Sequence, residues 1–182
     1  MLFRSAVIVA TLVEGGKLSW ETTIGQIFPE LSESFPEKFR AITVTQLLSH
    51  HAGLPADLNW GEIARSAASL PEQRLNALKK AASTELASPP GTKFEYSNVG
   101  YTLAGAVAER VTGQPWEDLM REIVFKPLRM TSCGFGGVGT PGEIDQPWPH
   151  REDGGPMAAN GPPVDNPEVM GPAGTVHCSV AD

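Results

Sequence analysis

The chain has 182 residues, 41% of them hydrophobic and 19% charged, which suits one domain with a real core rather than a disordered or membrane-spanning polypeptide. A net charge of −7 argues against a nucleic-acid partner, which calls for a basic stripe. Lys79-Lys80, the one adjacent basic pair, reads as the solvated face of a helix.

Arg4 followed by the apolar run 6–13 faintly suggests a secretion signal, but Glu14-Gly15-Gly16-Lys17 interrupts the run and no small-residue cleavage site follows. The run is also too short to cross a bilayer. Residues 3–14 therefore read as a helix apolar nearly all round and buried on several sides, ended by Gly15-Gly16. As encoded, the chain reads as cytoplasmic.

Thr43 with Gln46 three residues on forms a capping-box pattern, and Gly53 and Pro55 close the short helix that follows. Two further helical stretches lie between Asn59 and Leu86, with Pro71 placed as the first residue of the second. Asn98 suits the N-cap of the next helix, in which Val99, Leu103, Ala106, Val107 and Arg110 keep a helical period up to Gly113. Pro115 opens another, with Trp116, Leu119, Met120 and Ile123 on one face. From Gly134 to Gly174 the chain is dense in glycine and proline without helical period, so it should be loop and short extended pieces. This gives one domain over 1–182, with a helical part at 1–130 and a Gly/Pro-rich loop part at 131–182.

Few side chains suggest chemistry on their own. His50-His51 are adjacent, so their side chains point apart, and no H-E-x-x-H or H-x-H occurs; a structural role is favoured, as for the isolated His150 and His177. No metal site is expected. Cys133 and Cys178 lie far apart without metal-type spacing, and two free thiols are favoured over a disulfide. "GFGGVG" matches G-x-G-x-x-G at Gly134, Gly136 and Gly139, but the prolines that follow argue against the helix a dinucleotide fold needs. A glycine-rich loop could still meet phosphate through backbone N–H groups, which keeps NADPH binding open as an alternative; otherwise no cofactor is expected.

Four stretches carry a resemblance: "LVEGGKLSWETTIGQIFPEL", "ITVTQLLSHHAGLP", "PPGTKFEYSNVGYTLAGAVAERVTGQPWEDLMREIVFKPLRM" and "GPAGTVHCSVAD". Their order resembles that in serine hydrolases related to class C β-lactamases, DD-peptidases and β-lactamase-like esterases. The resemblance implies a mainly α fold with a few short strands: the helical region of the β-lactamase/transpeptidase-like fold, with most of the sheet absent. It also implies relatives that are often periplasmic.

Three elements meet at the active site of that family: S-x-x-K, bearing the nucleophile; Y-x-N; and a K-T-G or H-x-G strand. A serine is a weak nucleophile without a base in reach, so the chemistry needs the set. Tyr96-Ser97-Asn98 matches Y-x-N, while neither of the other two motifs occurs in the sequence. By analogy the nucleophile falls at or ahead of Met1; Ser5 is the nearest serine but lacks the lysine. The resemblance thus assigns Tyr96 a vestigial catalytic role and Asn98 and Ser97 substrate binding.

The reading is a truncated β-lactamase-like protein without classical serine hydrolysis, retaining a small-molecule site near Tyr96. The alternatives are a scaffold repurposed as an enzyme at an oligomer interface, such as an NADPH-dependent reductase, or a vestigial β-lactamase/esterase or non-catalytic binding fragment. An apolar first helix without a covering sheet further predicts a homodimer, with helices exchanged between copies.

Overall fold

Several helices in the computed structural model, which describes residues 3–140, 143, 145–157 and 165–182, start where a hydroxyl or amide side chain takes a first free N–H group. Helix α1 (Phe3–Glu14) ends as expected: Gly16 adopts φ 67°, and the Lys17 N–H reaches back to the Leu12 carbonyl at 2.9 Å. It buries Ile8, Val9 and Leu12, but Val7 is 46% exposed, so burial is less complete than its apolar composition suggests.

Four short helices follow: α2 (Ile24–Ile27), α3 (Pro29–Ser32), α4 (Glu37–Arg40) and α5 (Val44–Leu48). Thr43 and Gln46 close the expected capping box on α5, and Thr23 and Gln26 make a second one on α2. The two cap threonines pair in an antiparallel bridge, which ties α2 to α5. Helices α6 (Trp60–Ala64) and α7 (Leu70–Ala82) are capped by Asn59 and Ser69, with Pro71 in the first turn of α7.

The central element is α8 (Asn98–Thr112). Every residue from Val99 to Glu109 is buried, and α1, α5, α7 and the short α10 (Gly171–Gly174) all pack on it. Each fully buried Leu or Val side chain there contributes about 1.5–3 kcal/mol. Two glycines allow the close approach. A Cβ on Gly100 would sit 2.9 Å from the Leu47 carbonyl oxygen, and one on Gly105 would sit 2.2 Å from Cγ of Pro172. Gly113, at φ 73°, ends the helix. Helix α9 (Trp116–Leu119) then runs directly into a π-helical turn, Met120–Phe125, whereas the periodicity predicted one uniform helix.

A charge is buried in this core. Arg74 of α7 has no exposed surface; it pairs with Glu109 of α8 and Glu117 of α9, each at 2.5 Å, and donates to the Val169 and Glu168 carbonyls. Glu109 also accepts the Trp116 N–H at 2.9 Å. Burial works against the charge of Arg74, but the two carboxylates more than offset it and hold its pKa above the ordinary value. Burial likewise pushes Glu109 up, with Arg74 pulling the other way. The cluster fastens the segment 168–174 to the helices.

The described sheet is small: β1 (Gly134–Phe135) runs antiparallel to β2 (Val176–His177), with Gly134 opposite His177 and Phe135 opposite Val176. That register puts residues 133 and 178 face to face. Cys133 and Cys178 form a disulfide with their Cα atoms 4.2 Å apart, which corrects the reading of two free thiols. They lie 45 positions apart in sequence, and the pairing of β1 with β2, with the Ser179 N–H donating to the Ser132 hydroxyl, brings them together. The expectation of loop over 134–174 extends to residues 141, 142, 144 and 158–164, which lie outside the described residues. No helix among the described residues is long and apolar enough to cross a membrane.

Candidate functional site

The turn after α5 prepares the site. His50 takes φ 60°, the left-handed position where a helix most often ends in glycine, and this swings its side chain under the loop 94–98. The His50 carbonyl accepts the Glu95 N–H at 2.8 Å, and its ring Nδ1 accepts the Ser97 N–H at 3.1 Å. The ring is buried and packs between aromatics, with centroids 4.6 Å from Tyr96, 5.2 Å from Tyr101 and 5.6 Å from Phe94. Tyr101 in turn donates its hydroxyl to the Leu48 carbonyl at 3.0 Å, satisfying an end of α5.

Ser97, not Asn98, is the N-cap of α8. Its hydroxyl accepts the Gly100 N–H at 3.1 Å and donates to the Pro55 carbonyl at 2.6 Å. The side chain is buried, and its donor is spent on the fold. Serine and asparagine cap about equally well, and tertiary partners sort them: the Pro55 carbonyl holds the Ser97 hydroxyl under the turn, and Asp57 draws the Asn98 side chain to the loop surface.

Asn98 is held from two sides. Its Nδ2 donates to Asp57 Oδ1 at 3.0 Å, and its Oδ1 accepts the Tyr96 hydroxyl at 3.2 Å. Asp57 Oδ1 also accepts the Trp60 Nε1–H at 2.9 Å. A carboxylate oxygen only accepts, so Nδ2 has to face Asp57, and the sense of the amide is fixed. Tyr96 is half exposed beside Phe94, which is 60% exposed. The result is an open polar wall, Tyr96 to Asn98 to Asp57 to Trp60, standing on an aromatic floor centred on His50. Neither Asp57 nor His50 carries a sequence signal for this role; the fold brings both to the loop across more than 40 positions.

Burial, with His51 second, lowers the pKa of His50. Burial, then Tyr96, raises that of Tyr101. Glu95 is pulled below the usual carboxylate range by hydrogen bonds from Ser88 and Lys93.

The other candidates are dispersed. Ser5 is buried in α1, and its hydroxyl donates to the Pro172 carbonyl at 2.6 Å, bonding α1 to α10. Gly134 lies in β1 beneath the His177 ring, and the Gly136 N–H donates to the Thr175 carbonyl at 2.8 Å. That stretch borders a separate cleft of about 360 Å³ lined by Gly136, Val138, Trp148, Thr175 and His177. His177 Nδ1 is 2.9 Å from the Gly136 carbonyl, and His51 Nδ1 is 2.8 Å from the Ser49 carbonyl. No group of three or more metal-ligating side chains occurs among the described residues.

Comparison with known proteins places these features in a family. The Beta-lactamase family model matches residues 3–182. The chain is 30% identical over 124 residues to Penicillin-binding protein 4 of Amycolatopsis lactamdurans, covering 68% of this chain and 31% of that protein. It is 31% identical over 137 residues to a putative D-alanyl-D-alanine carboxypeptidase of Escherichia coli, covering 74% and 32% respectively. The crystal structure of D-alanine carboxypeptidase AmpC from Burkholderia cenocepacia superposes with a TM-score of 0.71 at 23% identity, over 98% of this chain and 44% of that one. The chain therefore spans about a third of the length of these curated relatives. Its helices are the helical region of a β-lactamase/transpeptidase-like fold, with two short strands among the described residues.

Proposed function

Because the chain belongs to the beta-lactamase family, we propose that it presents the tyrosine–asparagine wall of a serine-hydrolase cleft as a small-molecule site, without performing acyl-enzyme hydrolysis by itself. The observation that carries this reading is the wiring of the wall. Tyr96, half exposed, donates to Asn98, whose amide is oriented by Asp57. A solvent-facing amide held in one sense is complementary to a secondary amide, which offers one acceptor and one donor, as in a peptide link or the acylamino side chain of a penicillin. The ligand class that fits is the one named in the relatives, penicillins and D-alanyl peptides.

The serines support the reading that the chain does not hydrolyse by itself. No S-x-x-K occurs in the sequence, and the hydroxyls of Ser5 and Ser97 are both committed to backbone carbonyls. A nucleophile needs a base in reach, and removing one member of such a set leaves little beyond binding effects.

The test is thermal shift with a penicillin or a D-alanyl-D-alanine peptide, in parallel with nitrocefin and p-nitrophenyl ester hydrolysis. A ligand at about a hundred times its Kd stabilises the native state by about 2.7 kcal/mol. The expected result is a rise in Tm that Asn98→Ala abolishes, with no hydrolysis above buffer. Hydrolysis abolished by Tyr96→Phe would overturn the non-catalytic part. A rise with NADPH and none with lactam or peptide would move the site to the Gly134–Gly139 stretch.

A further inference from the structure

We infer that His50 is the positioning residue of the Tyr96–Asn98 wall, and that it holds the wall only as the neutral imidazole with its proton on Nε2. The inference rests on the reading of that wall as the working surface, but its test does not depend on any ligand or activity.

The geometry leaves little freedom. The Ser97 N–H is a backbone donor and points at His50 Nδ1 across 3.1 Å, so Nδ1 has to be the acceptor. In neutral imidazole the proton then sits on Nε2, for which the described residues supply no hydrogen-bond partner. The Ser97 N–H belongs to the peptide linking Tyr96 to Ser97, the midpoint of the site loop. The same ring lies 4.6 Å from the Tyr96 ring at a tilt of 34°, and the His50 carbonyl takes the Glu95 N–H. One residue thus anchors the loop by backbone, by ring nitrogen and by ring face. A second proton on the imidazole would set N–H against N–H and remove the middle anchor.

The titratable groups facing His50 are few. His51 adjoins it in the chain, Tyr96 faces it from the loop and Tyr101 from α8. The Glu95 carboxylate is engaged by Ser88 and Lys93, and no carboxylate among the described residues pairs with His50. No charged partner among the described residues therefore favours the imidazolium, and burial and His51 both disfavour it. The neutral clamp persists through the neutral range.

Nitrogen-15 NMR of the full chain reads both halves of the inference. At about pH 8 the His50 Nδ1 should have the shift of an unprotonated nitrogen accepting a hydrogen bond, and the Ser97 amide should exchange slowly. On titration toward about pH 5, Ser97 protection should fall about three- to tenfold in step with His50 protonation, as one hydrogen bond is lost. The Leu103 and Val107 amides in the middle of α8 should stay protected.

His50→Gly is the variant of choice, because glycine tolerates the left-handed backbone at this position and brings no acceptor to the Ser97 N–H. In it Ser97 should exchange fast at every pH, and the Tyr96 ring signals should lose their upfield displacement. Should the variant not fold, the titration of the unaltered chain still decides. A protonated Nδ1 at neutral pH, Ser97 exchange that ignores the His50 titration, or loss of protection throughout α8 together with Ser97 would each overturn the inference. A penicillin that fails to bind a chain with the expected NMR behaviour would refute the ligand reading and leave the role of His50 standing.

Discussion

Replacing Arg74 by methionine should be among the most damaging single changes outside the loop. Methionine keeps the length and apolar body of the side chain but removes five donors. Glu109 and Glu117 would then face each other without the cation between them, and the Val169 and Glu168 carbonyls would lose their partner. Breaking a buried pair from one side costs about 3–5 kcal/mol, because a charge is left uncompensated. For a chain of this size that lowers Tm by about 6–20 °C. The comparison is Glu109→Gln, whose amide oxygen can still accept from both Arg74 and the Trp116 N–H. Its cost should be clearly smaller. Urea unfolding monitored by far-UV circular dichroism gives both numbers. A loss below about 1 kcal/mol in Arg74→Met, at unchanged m-value, would show that segment 168–174 is held by apolar packing and not by the cluster.

Stability should also depend on pH through His50. Its folded pKa lies below the ordinary imidazole value of about 6.5, so its contribution is present above that value and is lost as pH falls through the folded pKa. Tm should therefore drop on acidification below about pH 6.5, and this component should vanish in His50→Gly. Gly105→Ala should cost about 1–3 kcal/mol by driving a methyl into Pro172, read as a lower urea midpoint. Reducing the Cys133–Cys178 bond, which closes a 45-residue separation, should cost up to about 4 kcal/mol by chain entropy alone. Mass spectrometry with and without a thiol-blocking reagent checks the bond itself. A chain that is fully alkylated without reductant would refute the pairing.

Local signals made much of the helical architecture legible. Thr43 with Gln46, Gly113 and the double glycine after α1 each act within one turn, so the sequence alone carries them. The identical box at Thr23 and Gln26 carried the same signal and marks a helix that periodicity could not find, since four residues show no period. The cap of α8 is Ser97, one residue before the expected Asn98, because both are good caps and tertiary bonds to Pro55 and Asp57 decide between them. Tyr96 and Asn98 were identifiable by resemblance. His50 and Asp57 were not, since each becomes part of the site through a contact some 40 residues away. The cysteine pair and the Arg74 cluster are of the same kind: long-range partners that spacing does not encode.

The wiring of Asn98 by Asp57 gives the wall a direction. Turning the amide over would set its oxygen against the Asp57 carboxylate, a mismatch that an acceptor-only group cannot relieve, although the Tyr96 hydroxyl could turn to accept from the NH2. Such a flip costs at least the loss of one charge-assisted hydrogen bond, about 1.5–3 kcal/mol. If an amide binds there as proposed, the wall would distinguish a peptide link from the same link written backwards, and a retro-amide of equal size and polarity should be a poor substitute. Handedness of this kind is set by a carboxylate that the ligand need never touch.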